Sequence, residues 1–261
     1  SENESALKAK FIERAADNAN AVGLPTIYVS QELYSFFSSI DRKEGQEAYA
    51  RAFADRCKGI LSKAIAAIPY NKQDRVLLCL RYGIDCPSIV PSFEDIQRSL
   101  LLGDRIEERR ASAAMLLAMG PKAAPAEATV NKVLGYIGDG SIDGMGSPNL
   151  QEELYQVLAN IGTKNPKSLA LIAEGMRHSY DDVRSAAADA FIRIGPASLP
   201  YVVEVVKTGT KEQKLDALKL LGKMGVSASS ARPGLEEALK AEKESYLRDA
   251  IGDTISRISG R

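Results

Sequence analysis

The sequence predicts an all-α protein that is built from repeated pairs of helices. The first observation is a glycine that ends an apolar segment at Gly120, Gly162, Gly195 and Gly225, with Ser259 in the equivalent place of a fifth copy. The spacings of 42, 33, 30 and 34 residues are typical of stacked helical hairpins. The second observation is that the residues before each glycine repeat at helical spacing. The third is a composition of 45% hydrophobic residues with 6% aromatics and no Trp, which favours closely stacked helices.

Small or apolar side chains occupy three fixed positions before each of these five residues. Eight before are Ser112, Leu154, Ala187, Ala217 and Ile251; four before are Leu116, Leu158, Phe191, Leu221 and Ile255; one before are Met119, Ile161, Ile194, Met224 and Ile258. These offsets share one face of a helix with 3.6 residues per turn, so they predict the buried face of the second helix in each pair.

A basic or polar side chain stands eleven positions before each repeat-ending residue. The column comprises Arg109, Gln151, Arg184, Lys214 and Arg248. We expect these long side chains to lie across repeat boundaries and to hydrogen-bond carbonyls or acids of the neighbouring repeat.

Residues 1–91 precede the regular array and do not fit its columns. Apolar residues at helical spacing predict helices over residues 5–22, 31–40, 44–68 and 72–82, with Pro and Gly at the breaks between them. We interpret this segment as a divergent helical N-terminal cap, because a helical array needs a cover over the apolar face of its first repeat.

The regular array is predicted over residues 92–261 as about five helix pairs. Residues 93–102 pair with 106–119, 125–137 with 150–161, 166–177 with 182–194, 196–207 with 211–224, and 233–240 with 245–258. Ser92 is expected to cap the first helix, Pro166 suits a first helical position, and Thr210 with Gln213 has capping-box spacing.

A glycine-rich insertion at residues 138–148 lengthens the second pair. Asp139, Ser141 and Asp143 have the spacing of the first half of an EF-hand calcium loop, but Leu150 stands where that loop needs a bidentate Glu. We interpret the insertion as a flexible turn, with a weak cation site at these three residues as the alternative. It is also a candidate contact for a partner, because insertions in such arrays often lie on one face.

The motif Val-Arg-x-Ala-Ala-x-x-Ala, followed by four residues and Gly, runs from Val183 to Gly195 after a first helix and a turn. With the repeated columns, it resembles the HEAT-repeat family over residues 92–259, in particular the short HEAT-like repeats of the phycobilin-lyase type. The resemblance implies a right-handed α-solenoid of stacked antiparallel helix hairpins, in which the second helices line the concave side. That family includes scaffolds, adaptors, inhibitors and a few enzymes, so the fold alone names no function.

In that geometry, the positions six and two before each repeat-ending residue point into the concave groove. They are Gln156 and Asn160, Asp189 and Arg193, Lys219 and Lys223, and Asp253 and Arg257, with Ala114 and Ala118 in the first repeat. The plainer interpretation is a solvated surface with ion pairs four residues apart, Asp189 with Arg193 and Asp253 with Arg257. The functional interpretation is a polar groove for a peptide or a protein helix, in which Lys219 and Lys223 meet an acid.

Charge and motifs argue against several classes of function. The chain has 34 Lys and Arg against 34 Asp and Glu, evenly distributed, whereas a nucleic-acid binder usually has a basic excess on one module. His178 is the only histidine, which excludes His-paired metal sites, and we expect it in a solvated turn. No phosphate-binding loop, nucleophile motif or Cys-x-x-Cys pair is present. We therefore expect no catalytic residue, no cofactor and no small-molecule ligand.

No apolar run reaches the roughly 18 residues of a membrane span. Of the three cysteines, Cys79 and Cys86 either pair in an oxidising compartment or stay as reduced buried thiols, and the thiols are the plainer interpretation. No signal peptide is recognisable, although a leader before Ser1 is compatible with the sequence. The compartment therefore stays open, with the cytoplasm favoured over the periplasm or secretion.

These patterns favour a non-enzymatic interaction module that binds a protein partner in its groove. The resemblance leaves open a phycobilin-lyase-like protein that cradles a tetrapyrrole, which the lack of concave aromatic and His residues disfavours. A nucleic-acid binder similar to the HEAT-type DNA glycosylases is the third alternative. The zero net charge and the absence of Trp disfavour phosphate contacts and base stacking.

Overall fold

The computed structural model describes residues 76–77, 79–81, 86, 89–138 and 148–260. The chain divides into two compact units, Ser1–Asp95 and Ile96–Arg261. Every regular element in the described residues is a helix, which confirms the all-α prediction for that part of the chain. In the same residues, no helix has the length and apolar character that crossing a membrane requires.

The first unit is described only near its end. Residues 76–77 and 79–81 are helical, as predicted for 72–82, whereas the helices predicted at 5–22, 31–40 and 44–68 lie outside the described residues. Cys79 and Cys86 are buried and form a disulfide, with their Cα atoms 6.4 Å apart. The expectation of two reduced thiols is therefore wrong, and the alternative interpretation holds. The assignment of residues 1–91 as a cap stays a prediction.

Ten α-helices are described between residues 93 and 258. They are α1 (Phe93–Leu102), α2 (Ile106–Met119), α3 (Glu127–Gly138), α4 (Pro148–Asn160), α5 (Pro166–Gly175), α6 (Asp181–Ile194), α7 (Leu199–Thr208), α8 (Lys211–Met224), α9 (Arg232–Ala241) and α10 (Ser245–Ile258). The bounds of α1, α2, α8 and α10 are those predicted, and the others differ by a few residues.

The helices of the second unit form two rows. In the even row, α2, α4, α6, α8 and α10 each contact the next helix, and in the odd row α3, α5, α7 and α9 do the same. Contacts between α3 and α4, α5 and α6, α7 and α8, and α9 and α10 join the rows. Repeated helix pairs, each contacting its neighbours, are the arrangement of a helical repeat protein.

The largest departures from the predicted helices occur before α3 and α7. Short 3₁₀-helices, Gly120–Ala126 and Gly195–Ser198, occupy segments where the sequence predicts the start of an α-helix at Pro125 or Pro196. Proline suits the start of either helix type. The first residues of an α-helix or a 3₁₀-helix do not donate their amide hydrogen within the helix, so a proline loses no hydrogen bond there. A third 3₁₀-helix, Gly225–Ala231, precedes α9.

The repeat-ending glycines adopt left-handed backbone conformations. The φ angles are +57° at Gly120, +64° at Gly162, +78° at Gly195 and +55° at Gly225, which favours glycine over residues with a Cβ. In the last repeat this conformation falls on Gly260, with φ +72°, and Ser259 has φ −88°. Ser259 is nevertheless the first residue after its helix, as Gly120, Gly195 and Gly225 are after theirs, so only the positive φ is displaced by one residue.

The predicted apolar columns form much of the core. All five residues at the eighth position before the repeat end are buried, and four of five at the fourth position are, with Ile255 half-buried. At the position directly before the repeat end, only Ile258 is buried and the other four residues are half-buried. The predicted caps also form: Ser92 Oγ accepts a hydrogen bond from the Asp95 amide, and Thr210 and Gln213 make a capping box.

A glycine at the end of α5 allows close contact with α4. A Cβ at Gly175 would lie 2.5 Å from the Tyr155 hydroxyl oxygen and 2.6 Å from the ring carbon that bears it, and the Tyr155 ring is buried. We expect Gly175→Ala to lower the free energy of unfolding by about 1–3 kcal/mol through overpacking. Gly135→Ala is the matched control, because a Cβ there meets no atom within 4 Å and should stabilise α3 by up to about 1 kcal/mol. Urea unfolding measures both variants, and equal stability of the two would contradict the expectation.

Candidate functional site

The even row presents one continuous surface because its helices pack closely through small side chains. Ser112 and Ala113 in α2, Ala187 and Ala190 in α6, and Ala217 in α8 are each at most 3% exposed. Small residues at a helix contact reduce the distance between helix axes, which is about 8–10 Å depending on the side chains. Long polar side chains on one even helix can therefore reach the next.

The basic column at the start of the even helices binds the end of the odd helix in the same pair. Arg109 Nε donates to the Gly103 carbonyl at 2.9 Å, and Nη1 donates to the carbonyls of Leu100 and Leu101 at 2.8 Å. Burial lowers the pKa of Arg109, while nearby Asp104 raises it. The expected carbonyl partners are therefore present, within a repeat and not across its boundary.

Arg184 and Arg248, two further members of the column, also donate hydrogen bonds to backbone carbonyls that precede their own helix. Arg184 Nη1 donates to the carbonyls of His178 and Ser179, both at 3.0 Å. Arg248 Nη1 donates to the carbonyls of Leu239 and Glu242, both at 3.2 Å. Arg248 thus satisfies carbonyls at the end of α9 that no longer have a partner within the helix, and Arg184 satisfies carbonyls of the turn between α5 and α6.

The same column also reaches acids of the next repeat. Arg184 Nε lies 3.1 Å from Asp216 Oδ2 in α8, and Lys214 Nζ lies 2.6 Å from Glu242 Oε2 before α10. Gln151 is the exception, since its buried Oε1 has no hydrogen-bond partner among the described residues. The expected contacts between repeats therefore exist where the column holds Arg184 and Lys214.

One link between even helices was not predicted. Arg110 Nε and Nη2 donate to Glu153 Oε1 at 3.1 and 2.8 Å, which joins α2 to α4. The available signal was opposite charge at nearly equivalent positions of consecutive repeats, ten and nine residues before the glycine. The predicted groove residues lie six and two positions before the glycine, so that prediction did not include Arg110 or Glu153.

The eight predicted groove residues all lie on the even helices, and we call their surface the even-row face. Seven of the eight are exposed and Asn160 is half-buried. Ala114 and Ala118, the equivalent residues of α2, are also half-buried. Whether this face binds a partner stays a prediction.

The ion pairs expected within α6 and α10 do not form among the described residues. Arg193 Nη2 donates to Asn160 Oδ1 of α4 and does not pair with Asp189. Arg257 lies over Gly222 of α8, where an added Cβ would be 3.7 Å from Arg257 Nη1. Both arginines therefore extend to the neighbouring helix. Arg193 finds the amide oxygen of Asn160 there, and Arg257 finds the backbone of Gly222, which has no side chain.

The two lysines of the face differ in their surroundings. Lys219 Nζ lies 3.5 Å from Asp216 Oδ1 of the same helix, whereas Lys223 has no ion pair or hydrogen bond within the described part of the chain. At the opposite ends of the helices the face includes acidic side chains, among them Glu152 and Asp182. Burial raises the pKa of Glu152, and the charges of Asp182 and Glu153 raise it further.

No alternative site is assembled from the other candidate residues. Asp139, Ser141 and Asp143 lie outside the described residues. In the residues that are described, no group of three or more His, Cys, Asp or Glu side chains has a metal-binding arrangement. His178 is half-buried, and its Nδ1 accepts a hydrogen bond from the Tyr180 amide at 3.2 Å.

No family model and no curated protein matches the chain. Among solved structures, the chain is similar to the complex of CpcE and CpcF of phycocyanin lyase from Nostoc sp. PCC7120, with 18% identity and a TM-score of 0.40. The match covers 95% of this chain and 94% of the other. That structure is of the phycobilin-lyase type named by the sequence resemblance, and no match confirms the HEAT family itself.

This comparison corrects one expectation from the sequence. The chain was expected not to be an enzyme, whereas the similar structure is a complex of a lyase. The expectation of a non-enzymatic chain is therefore wrong as stated.

Arg184 and Arg248 form a matched pair for testing the basic column. Arg184 is 7% exposed and Arg248 is exposed, although both donate to backbone carbonyls that precede their own helix. We expect Arg184→Met to lower the free energy of unfolding by about 1–3 kcal/mol, because it leaves acceptors and Asp216 without their partner. Arg248→Met should stay within about 0.5 kcal/mol, since water can replace an exposed bond. Urea unfolding of both variants tests this, and an equal loss in both would refute it.

His178 gives the unfolding free energy a defined pH dependence. Burial and the charge of Arg184 lower the pKa of His178 in the folded chain below its unfolded value near 6.5. Its contribution to stability is therefore fully present above pH 6.5 and is lost as the pH falls through that value. We expect the free energy of unfolding to decrease from pH 7.5 to 5.5, and to decrease less in His178→Gln. Because this is the only histidine, an unchanged slope in the variant would contradict the assignment.

Proposed function

We propose that this chain is a helical repeat protein that binds a protein partner through the even-row face. The observation that supports it is that seven side chains from four successive even helices are exposed in two fixed registers. The proposal includes the finer geometry implied by the sequence, a right-handed solenoid of antiparallel hairpins with this face concave. It also includes the division into an N-terminal cap, residues 1–91, and an array, residues 92–261.

A protein partner suits the chemistry of this face. The face contains Lys, Arg, Asp, Gln and Asn side chains within a chain of zero net charge. A nucleic acid needs several cations that neutralise phosphates without neighbouring acids. A mixed polar surface instead complements the mixed charge of a protein surface.

The test compares the intact protein with Arg193→Glu/Lys219→Glu/Lys223→Glu. Capture from an extract of the native cells identifies a partner, which is then purified and titrated against each protein. The matched control, Lys132→Glu/Lys167→Glu/Lys240→Glu, makes the same charge change at exposed residues of α3, α5 and α9. We expect the first variant to bind at least about tenfold more weakly and the control to bind as the intact protein does. If the partner binds all three proteins equally, with circular dichroism showing that each is folded, the proposal fails.

A second candidate comes from the name of the similar solved structure, a phycocyanin lyase complex. In this candidate the same face holds a linear tetrapyrrole for a lyase reaction. Titration of the full chain with a bilin decides it, because an environment that orders the tetrapyrrole shifts its visible absorption. No absorbance change at a bilin concentration of about 100 μM would exclude this candidate.

A further inference from the structure

Three cations lie in the same register at the ends of neighbouring even helices. Arg193, Lys223 and Arg257 each lie two positions before the repeat-ending residue of α6, α8 and α10, and all three are exposed. Since α6 contacts α8 and α8 contacts α10, the three residues form a strip, which we call the basic edge. With about 8–10 Å between packed helix axes, the strip is about 20 Å long.

No acid of the described residues neutralises the basic edge. Arg193 donates to the neutral amide of Asn160, Arg257 lies over the backbone of Gly222, and Lys223 has no ion pair among the described residues. The charges of the basic edge are therefore not paired with an acid within the described part of the chain.

Stabilisation of helix ends does not account for this strip. A cation in the last turn interacts favourably with the helix dipole and with the last carbonyls. However, α2 and α4 have no cation in their last turn, and neither Arg193 nor Arg257 donates to a carbonyl within the described part of the chain. Both side chains extend sideways towards the preceding helix. The strip is therefore a local feature of three helices.

The opposite ends of the same helices carry acidic side chains beside Arg184, Lys211 and Arg248. Asp181 and Asp182 begin α6, Glu212 lies in the first turn of α8, and Asp249 lies near the start of α10. A helix of 14 residues is about 21 Å long, so the acidic ends and the basic edge are separated by most of the width of the face. A uniform polyanion that covers the face would meet these acids and also Asp189 and Asp253, whereas a narrow acidic strip along the helix ends lies nearest to the cations.

We propose that the basic edge binds an acidic segment of the protein partner, aligned along the ends of α6, α8 and α10. This inference rests on the proposed function and adds the chemistry and the placement of the partner. A chain of zero net charge exerts little long-range attraction on a nucleic acid, so the local complementarity favours a protein segment with several Asp or Glu residues.

The test measures binding of a fluorescein-labelled peptide of twelve Glu residues to the full chain by fluorescence anisotropy in 50 mM salt. We expect Arg193→Gln/Lys223→Gln/Arg257→Gln to weaken binding about tenfold. Lys132→Gln/Lys167→Gln/Lys240→Gln removes three exposed charges elsewhere and should stay within about twofold of the intact protein. Equal binding to both variants, or no binding to the intact chain, would overturn the inference, provided that circular dichroism shows folded proteins.

Two further measurements separate this inference from its alternatives. Single-stranded oligothymidylate of twelve nucleotides should bind more weakly than the Glu peptide. If the oligonucleotide binds more tightly than the peptide, and this binding depends on the basic edge, the ligand of the basic edge is a nucleic acid and the inference of an acidic protein segment fails. The captured partner is titrated against the Gln variants as well. If it is lost from Arg193→Glu/Lys219→Glu/Lys223→Glu but binds the basic-edge Gln variant as the intact chain, the inference fails and the proposed function stands. If it binds every variant equally, the proposed function fails.

Discussion

In three of the described helix pairs, the packing depends on an arginine near the start of the even helix. Arg109 and Arg248 reach back to carbonyls at the end of the preceding odd helix, and Arg184 to carbonyls of the turn that follows α5; Arg109 and Arg184 do so from buried positions. A guanidinium with several donors in one plane fixes the direction of those carbonyls, which a single-donor side chain cannot do. Because Arg184 also contacts Asp216, the same group aligns one pair with the next. These contacts orient α2, α6 and α10, whereas Lys214 of α8 binds Glu242 and Gln151 of α4 has no partner for its Oε1 among the described residues.

The positions of the helices could be predicted because the signals for them are local. Apolar residues at helical spacing identify α1, α2, α8 and α10 with their observed bounds, aided by capping residues before α1 and α8 and by a glycine after α1, α2 and α8. The segments before α3 and α7 were predicted as α-helix and are 3₁₀-helix. The sequence patterns did not distinguish a 3₁₀-helix from an α-helix in these segments. Both helix types can begin with proline, and they differ only in which carbonyl accepts each amide hydrogen.

The contacts of the even-row face could be predicted only in part, because they join residues more than 30 positions apart. The rule that oppositely charged residues four apart interact describes a helix surrounded by water. In this chain Arg193 has Asn160 of a neighbouring helix within reach, and Arg257 has the bare backbone of Gly222. The link between Arg110 and Glu153 likewise depends on the distance between α2 and α4. A single sequence gives the register of each column along its helix, but it does not give the spacing between helices.

All of the polar links described join a helix only to its neighbours, whether by Arg110 and Glu153, Arg193 and Asn160, or Lys214 and Glu242. Between α3, which ends at Gly138, and α4, which begins at Pro148, the chain is longer than between the helices of any later pair. The even row nevertheless continues through α4 to α6 with its contacts intact. Evolution can therefore change the length of a single connection without disturbing the alignment of distant repeats. Variation in loop length is thus a way for such a chain to acquire a new contact while its scaffold is inherited unchanged.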